Sequence, residues 1–508
     1  MINEIVSLTL LVALLLCVAL DVAHRTTVAI GIAILAIVVG SVLPDPKIPG
    51  KGYFNPGDAL RAVNFSTLVF LVAMGIFMAI MQRSGAFDWV AKTLVLKSNM
   101  QLHILTSRIL LLSYAISLFV NNVTVVMILV PITLSICRQF DQNPVPLIVA
   151  QVIAINLGGA STMVGDFPNI IIATEVTSLT FVDFLSNMFP MCFALLVADI
   201  LLLRRMHPEY FAHFEPGPAA RVFAADLAER RSTAITDKRL LQAAVVTLGG
   251  MLVGFVLAAQ LRIPLILIPA SGAGIILLVF EIRLRANYRS DPTLDRVLRK
   301  NIVGDDISKV LAEVHWDVVL FLAALFIVIG SLEHTDVLQW AADFIIGASA
   351  GNPVKASMLI VFIASLITMC AEAGPATAVL VPVIQKLYAF GRLGSGNELY
   401  WGLSLGVQAG SSTTMIGANE GPLAARMIEQ EARRHNSSNR LTARSFTRIG
   451  GRAWLVFIPL SIFYLAALIT GGWIVSVATF GVAAVAASWI AIRGLRVSDR
   501  GAQALNPA

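Results

Sequence analysis

The chain has 508 residues, of which 57% are hydrophobic and 13% charged, and its mean hydropathy is +0.81. Soluble domains carry about 25% charge, so this composition excludes a soluble enzyme or nucleic-acid-binding module and predicts a polytopic membrane protein. The net charge of +6, from 37 Lys and Arg against 31 Asp and Glu, is assigned to loops that touch lipid headgroups rather than to nucleic acid.

Apolar runs of membrane length place helices near residues 4–22, 26–43 and 66–81. Glu4 rather than a basic segment precedes the first run, and no small-residue cleavage site follows before His24 and Arg25, so this run is read as a retained helix. An amphipathic surface segment follows at 86–97. Residues 103–139 read as a re-entrant hairpin, 145–178 as a broken spanning helix and 182–203 as a closing helix, before a polar loop at 204–238. The order then recurs, with helices near 239–260, 263–283 and 316–331, an interfacial piece at 335–347, a hairpin at 355–390, a broken helix at 399–435 and a helix at 450–470. One extra helix, 473–492, is left over. Cys17, Cys137, Cys192 and Cys370 all lie in apolar segments without metal-ligand spacing and are assigned to packing.

The hairpins and broken helices carry the polar residues. Asn121, Asn122 and Thr124 interrupt two apolar legs with no loop between them. Gly158, Gly159, Ala160, Ser161 and Thr162, then Gly165-Asp166-Phe167-Pro168-Asn169, break the next helix with permissive backbone, a fixed proline dihedral and a carboxylate. Backbone freed at membrane depth is tolerated where protein or a water-filled cavity supplies partners, so adjacent breaks predict an ion or solute site.

The two halves match at fixed offsets. Phe70-Leu71 recurs as Phe321-Leu322, Trp89 as Trp340 and Pro131 as Pro382, each 251 residues later; Thr162-Met163-Val164-Gly165 recurs as Thr414-Met415-Ile416-Gly417, 252 later. Each half holds five spanning helices, an odd number, which predicts inverted repeats. The expected organisation is therefore an all-α polytopic membrane protein: a first repeat at 1–203, a cytoplasmic linker at 204–238, a second repeat at 239–470, and an extra transmembrane helix with a cytoplasmic tail at 471–508. Most Lys and Arg fall on one side if the N-terminus is outside and the C-terminus cytoplasmic, including Arg204, Arg205, Arg230, Arg231, Arg433 and Arg434.

The run from Asn121 to Glu175 resembles the ion transporter superfamily, and most of all its branch of arsenite permeases, sodium-proton antiporters and the melanosomal P protein; citrate and dicarboxylate carriers and other divalent anion–sodium symporters are wider relatives. The resemblance implies a homodimer, embedded in plasma or inner-membrane lipid, whose scaffold helices carry a moving transport domain in an elevator-type mechanism. The family's first hairpin tip reads Asp-Asn, where this chain has Asn121-Asn122, and its break reads Gly-Asp-Pro-Pro-Asn, where this chain has Gly165-Asp166-Phe167-Pro168-Asn169. The second half departs further: its hairpin tip is Ala371-Glu372-Ala373-Gly374-Pro375, and its break runs from Ser411 to Pro422.

The candidate ion- or substrate-binding residues are Asn121, Asn122, Thr124, Gly159, Ser161, Thr162, Asp166, Asn169, Glu372, Thr377, Ser412, Thr413, Thr414, Asn419 and Glu420, with Ser411 beside them. Sodium is placed at Asn122, Thr162, Asp166, Glu372 and Thr414. Amide, hydroxyl and carboxylate oxygens without a Lys, Arg or His suit a hard cation, and the same carboxylates could exchange protons. An Asn or Thr at a break can equally be a helix cap. The coupling ion is expected to be sodium or a proton, with no other cofactor. The solute is a small inorganic ion or, as the alternative, a small anion such as citrate, a dicarboxylate, sulfate or an arsenite-like oxyanion. Asp199 is expected to pair with Arg204 or Arg205 at the interface. The seven histidines are scattered, and no Gly-rich Lys-Ser/Thr nucleotide motif is present, which disfavours an enzyme or a primary pump.

Overall fold

The structure, a computed structural model, describes residues 2–20, 22–46, 50–98, 101–212, 218–289, 296–391, 396–435, 439–472, 474–483 and 485. The described residues are all-helical. In chain order they form α1 (Ile2–Ala19), α2 (Arg25–Val42), α3 (Pro56–Ala62), α4 (Phe65–Arg83), α5 (Ala86–Lys97), α6 (Leu102–Ser117), α7 (Asn122–Gln139), α8 (Pro144–Ala160), α9 (Phe167–Glu175) and α10 (Phe181–Met206). A 3-10 turn at Pro208–Phe211 leads to α11 (Pro218–Ser232), α12 (Lys238–Leu261), α13 (Leu267–Arg289), α14 (Arg296–Ala312), α15 (Trp316–Glu333) and α16 (Val337–Ser349). The chain continues through α17 (Pro353–Cys370), α18 (Ala373–Ala389), α19 (Glu398–Ser411), α20 (Gly421–Arg434) and α21 (Ala443–Gly471). Ten of these helices are long and apolar enough to cross a membrane.

Local signals explain where the helices start. Asn143 and Asn352 cap α8 and α17, each accepting from a first-turn amide ahead of a proline that has no amide to satisfy. Asp237 caps α12 from both the Arg239 and Leu240 amides and pairs with Arg283 at 3.0 Å. Two regions to which the sequence reading gave no helix are helical. The polar linker 204–238 holds α11, whose Leu227 is buried with Phe223 and Ala224 against Leu102, Leu105, Ile109 and Ile136. The stretch before the helix at Trp316 holds α14. In both, the apolar positions are too sparse for a membrane run yet suffice to seat one helix face. Of the extra helix expected at 473–492, residues 474–483 are helical, and 486–492 lie outside the described residues.

The chain divides into two compact units, each drawing on both halves of the sequence. The first comprises 1–90, 173–181 and 231–338. In it α2 packs on α15 and α4 on α13, and Arg25 pairs with Asp317 at 2.9 Å. The apolar residues of α1, α2, α12 and α13 are largely exposed, including Ile5, Val12, Ile34, Val38, Val246 and Leu278, as expected of a surface facing hydrocarbon. The second unit comprises 91–172, 182–230 and 339–508. It contains both hairpins and nearly all of both broken helices. There α8 is buried along its whole length and packs on α6 and α7, while α19 packs on α17 and α18.

Candidate functional site

The site is built from the two interruptions in α6–α7 and α17–α18 and the two breaks in α8–α9 and α19–α20, all but the last three residues of α9 within the second unit. In the first half α8 ends at Ala160 and α9 begins at Phe167, leaving carbonyls without helical partners. The side chain of Asn169, fully buried, supplies them: its Nδ2 donates to the Ala160 and Thr162 carbonyls, both at 2.8 Å. The Thr162 hydroxyl donates to the Leu118 carbonyl at the hairpin tip and accepts from the Gly165 amide at 3.2 Å. Ser161 donates to Leu157 O at 2.7 Å, so the Tyr114 hydroxyl 2.7 Å away is the donor in their bond.

The second half repeats this scaffold. Thr414 donates to the Met369 carbonyl at 2.8 Å and accepts from the Gly417 amide at 3.0 Å. Each partner stands 251 or 252 residues after its counterpart. The glycines are equivalent too: a Cβ on Gly165 would lie 2.6 Å from the Ser117 carbonyl, and one on Gly417 would collide with that of Thr368. Only glycine allows the hairpin backbone to come this close to the break.

The polar residues that differ between the halves converge. Asp166 is 7% exposed; its Oδ1 accepts from the Phe167 amide at 2.9 Å and its Oδ2 from Gln408 Nε2 at 3.1 Å. Asn122, buried at the start of α7, accepts from Ser117 at 2.6 Å, donates to Asn156 Oδ1 at 3.3 Å and adjoins the carboxylates of Asp166 and Glu420. Glu420 is 2% exposed, has one carboxylate oxygen without a hydrogen-bond partner, and faces both Asp166 and Glu372. The Asn419 amide, oriented to donate, lies 2.9 and 3.2 Å from the two oxygens of Glu372. Three carboxylates thus share one region with amides and hydroxyls and with the N-termini of α7, α18 and α20. No Lys, Arg or His occurs in the sequence of the breaks or hairpin tips.

The remaining candidates divide by what their side chains bond. Asn121 caps α7 through the Val123 amide at 2.9 Å. Thr377 and Ser411 each donate to a carbonyl of their own helix, and Thr413, just past the end of α19, donates back to the Ala409 carbonyl. Thr124 is buried in the first turn of α7, and Ser412 is buried with its hydroxyl unpartnered. Gly159 lies against the cluster: a Cβ there would stand 2.7 Å from Asn122 Oδ1 and 3.0 Å from Asp166 Cβ. The sequence reading did not single out Ser117, Asn156, Ser404 or Gln408. Ser404 donates to Asn169 Oδ1 at 2.7 Å, and with Gln408 it joins the second broken helix to the first. Asn156 and Gln408 stand 252 residues apart, the offset of the breaks themselves, and that spacing would have found them.

The ion pair expected for Asp199 is absent. Its carboxylate is 2% exposed, with Oδ2 unpartnered, while the Arg204 guanidinium lies over the Phe211 ring. The reason is helical spacing: partners sit three or four residues apart, and at about 100° per residue Arg204 and Arg205 fall roughly 140° and 120° around the helix from Asp199.

Comparison with known proteins identifies the chain. The citrate transporter family matches residues 15–406. The chain belongs to that family. The magnetosome protein MamN of Paramagnetospirillum magneticum is 30% identical over 441 residues, covering 85% of this chain and 92% of MamN. The human P protein is 24% identical over 474 residues, covering 81% of this chain and 54% of P protein. Among solved structures, the YdaH transporter of Alcanivorax borkumensis superposes with a TM-score of 0.56 at 15% identity, covering 89% of this chain and all of that one, a likeness of fold. The citrate transporter family member described here is thus an integral, multi-pass membrane transporter and not an enzyme.

Proposed function

We propose that this family member is a secondary active transporter whose coupling ion, sodium or a proton, is held by Asp166, Glu372 and Glu420 with the amides and hydroxyls around them. The observation that carries this reading is the charge of the cluster: three carboxylates converge at the breaks with no basic residue among them. Buried acids at membrane depth are costly, and a bound cation or proton offsets that cost. Cation–proton antiport is the first reading. The second is sodium-coupled carriage of a small anion; it is favoured by the helix N-termini of α7, α18 and α20, which suit an anion once a cation supplies balancing charge, and by the family itself.

The remaining parts of the proposal are two inverted repeats, an N-terminus outside, a cytoplasmic C-terminus, and a homodimer moving its hairpins and breaks by an elevator-type mechanism. One observation supports the relative topology: the C-terminal ends of α7 and α20, both placed on one side of the membrane by the sequence reading, are joined by an ion pair between Arg138 and Glu431 at 2.9 Å. Proteoliposomes loaded with a pH dye and given inward gradients of sodium, potassium, citrate, dicarboxylates, sulfate and arsenite test the function. Alkalinisation of the lumen by sodium alone is the expected result for antiport, because each entering sodium expels a proton; a response that requires an anion selects the second reading. Sodium-independent, proton-independent flux down a solute gradient would overturn both.

A further inference from the structure

Helix α21 is 29 residues long and holds no Asp or Glu. At about 100° per residue its buried positions, among them Ile449, Ala453, Phe457 and Tyr464, fall on one face, which packs on α8, α17 and α19 of the same unit. Arg444, Arg448 and Arg452 recur every fourth residue on the opposite face. All three are exposed, and none pairs with an acid among the described residues. Two acids of the preceding helix are engaged elsewhere, Glu429 by Arg433 and Glu431 by Arg138. The arginine face then turns apolar without a change of register. Leu455 stands seven residues after Arg448, Pro459 seven after Arg452 and Phe463 four after Pro459, and Leu455 and Phe463 are 64% and 74% exposed.

We propose that this face of α21 binds an anionic phospholipid, with Arg444, Arg448 and Arg452 on its headgroup and Leu455 and Phe463 along its acyl chains. Guanidinium groups are matched to phosphate oxygens, and an exposed apolar row is matched to hydrocarbon; a phospholipid offers both, in this order along the helix. The lengths agree. At 1.5 Å per residue the arginines span about 12 Å, and Leu455 to Gly471 spans about 24 Å, most of the roughly 30 Å of a hydrocarbon core. A zwitterionic lipid carries an ammonium that offsets its phosphate, and a soluble anion leaves Leu455 and Phe463 uncovered. The site bears on the second break through Gly450, which lies between Arg448 and Arg452 in the sequence but on the buried side of α21. A Cβ there would collide with the Ser412 carbonyl and stand 2.7 Å from that of Thr413. The bound lipid therefore braces the helix on which the freed backbone of the second break is seated.

The full-length chain, delipidated in neutral detergent, is titrated with phosphatidylglycerol, with phosphatidylcholine of the same acyl chains and with inorganic phosphate. Tm is followed, since a ligand of the folded state raises it. Phosphatidylglycerol is expected to raise Tm, phosphatidylcholine to do so only at far higher concentration, and phosphate not at all. Each arginine near an anionic surface contributes about fivefold in affinity, so Arg444→Gln/Arg448→Gln/Arg452→Gln should raise the half-effect concentration on the order of 100-fold. Arg448→Gln alone should raise it about fivefold, which keeps the test if the triple chain does not fold. Arg426→Gln/Arg433→Gln/Arg434→Gln removes the same charge from exposed positions of α20 and should leave it nearly unchanged. An equal response to the two lipids, unshifted α21 variants, or an equal loss in the α20 variant overturns the site. So does a Tm rise with phosphate alone, which makes it an ion site, or a parent with twice the mass of the α21 variant in detergent, which gives the face to a second copy.

Discussion

The two breaks share a scaffold and differ in what it holds. Thr162 and Thr414 make the same pair of hydrogen bonds to a hairpin carbonyl and a glycine amide, and Gly165 and Gly417 admit the same close backbone approach. Apart from Asn156 and Gln408, the charged and amide side chains at the breaks do not follow this symmetry. Asp166 corresponds to Ala418, Asn169 to Gly421, and Asn121 to Glu372. The threonine bonds and the close glycine approach recur because the same freed backbone recurs, whereas ligand groups need to surround one solute only once. The repeated threonines and glycines therefore hold the backbone in both halves; of the unmatched residues Asn169 and Asn121 serve the first half's backbone as well, and the carboxylates of Asp166, Glu372 and Glu420 are the candidates for chemistry.

This comparison can be broken in several places. The largest effect is expected at Asn169, whose counterpart is a glycine: Asn169→Ala leaves two buried carbonyls and the Ser404 hydroxyl without their partner and should cost roughly 3–5 kcal/mol, read as a fall in Tm in detergent. Retention of the parental Tm would show that the amide is not what closes the first break. Next, Gly165→Ala and Gly417→Ala should each lose roughly 2–3 kcal/mol by overpacking against a hairpin carbonyl. Their equality is the point; a loss confined to one half would end the claim of a shared scaffold. Smaller again, Thr162→Val and Thr414→Val should each cost roughly 1–2 kcal/mol by orphaning one carbonyl and one amide. If instead Thr414→Val kept its stability while transport vanished, the hydroxyl would belong with the ligands. The smallest effect has the opposite sign: Asp199→Leu removes a buried carboxylate that has an unpartnered oxygen and should raise stability by about 1 kcal/mol. A destabilised Asp199→Leu chain would reveal a partner for that acid.

Much of the fold was legible because lipid demands long apolar runs and punishes exceptions to them. The same rule made the breaks visible, since Gly165, Asp166 and Pro168 have no reason to sit in a continuous spanning helix. What stayed hidden obeys a different rule. Asn156, Ser404 and Gln408 lie inside helices buried on every side, where a polar residue carries no periodic signal; the repeat offset alone marks Asn156 and Gln408, and Ser404 is revealed only by its partner Asn169. Helices α11 and α14 were hidden for the reverse reason: a single apolar face under many charges reads as a loop until the surface it covers is known. Asp199 was misjudged by counting residues along the chain rather than around the helix.

The central claim is that the carboxylate cluster holds the coupling cation, and the sign of one charge removal tests it. Transport into proteoliposomes is measured against sodium and pH for the parent and for Asp166→Asn, with Glu420→Gln and Glu372→Gln beside it. A screened charge about 6 Å away is worth on the order of 1–3 kcal/mol at an effective dielectric of 20 or more. If the cluster holds the cation, neutralising it should weaken apparent sodium affinity about tenfold or displace the pH profile. Unchanged cation and pH dependence with tighter binding of an anionic solute would contradict the account and make these acids mere neighbours of an anion site.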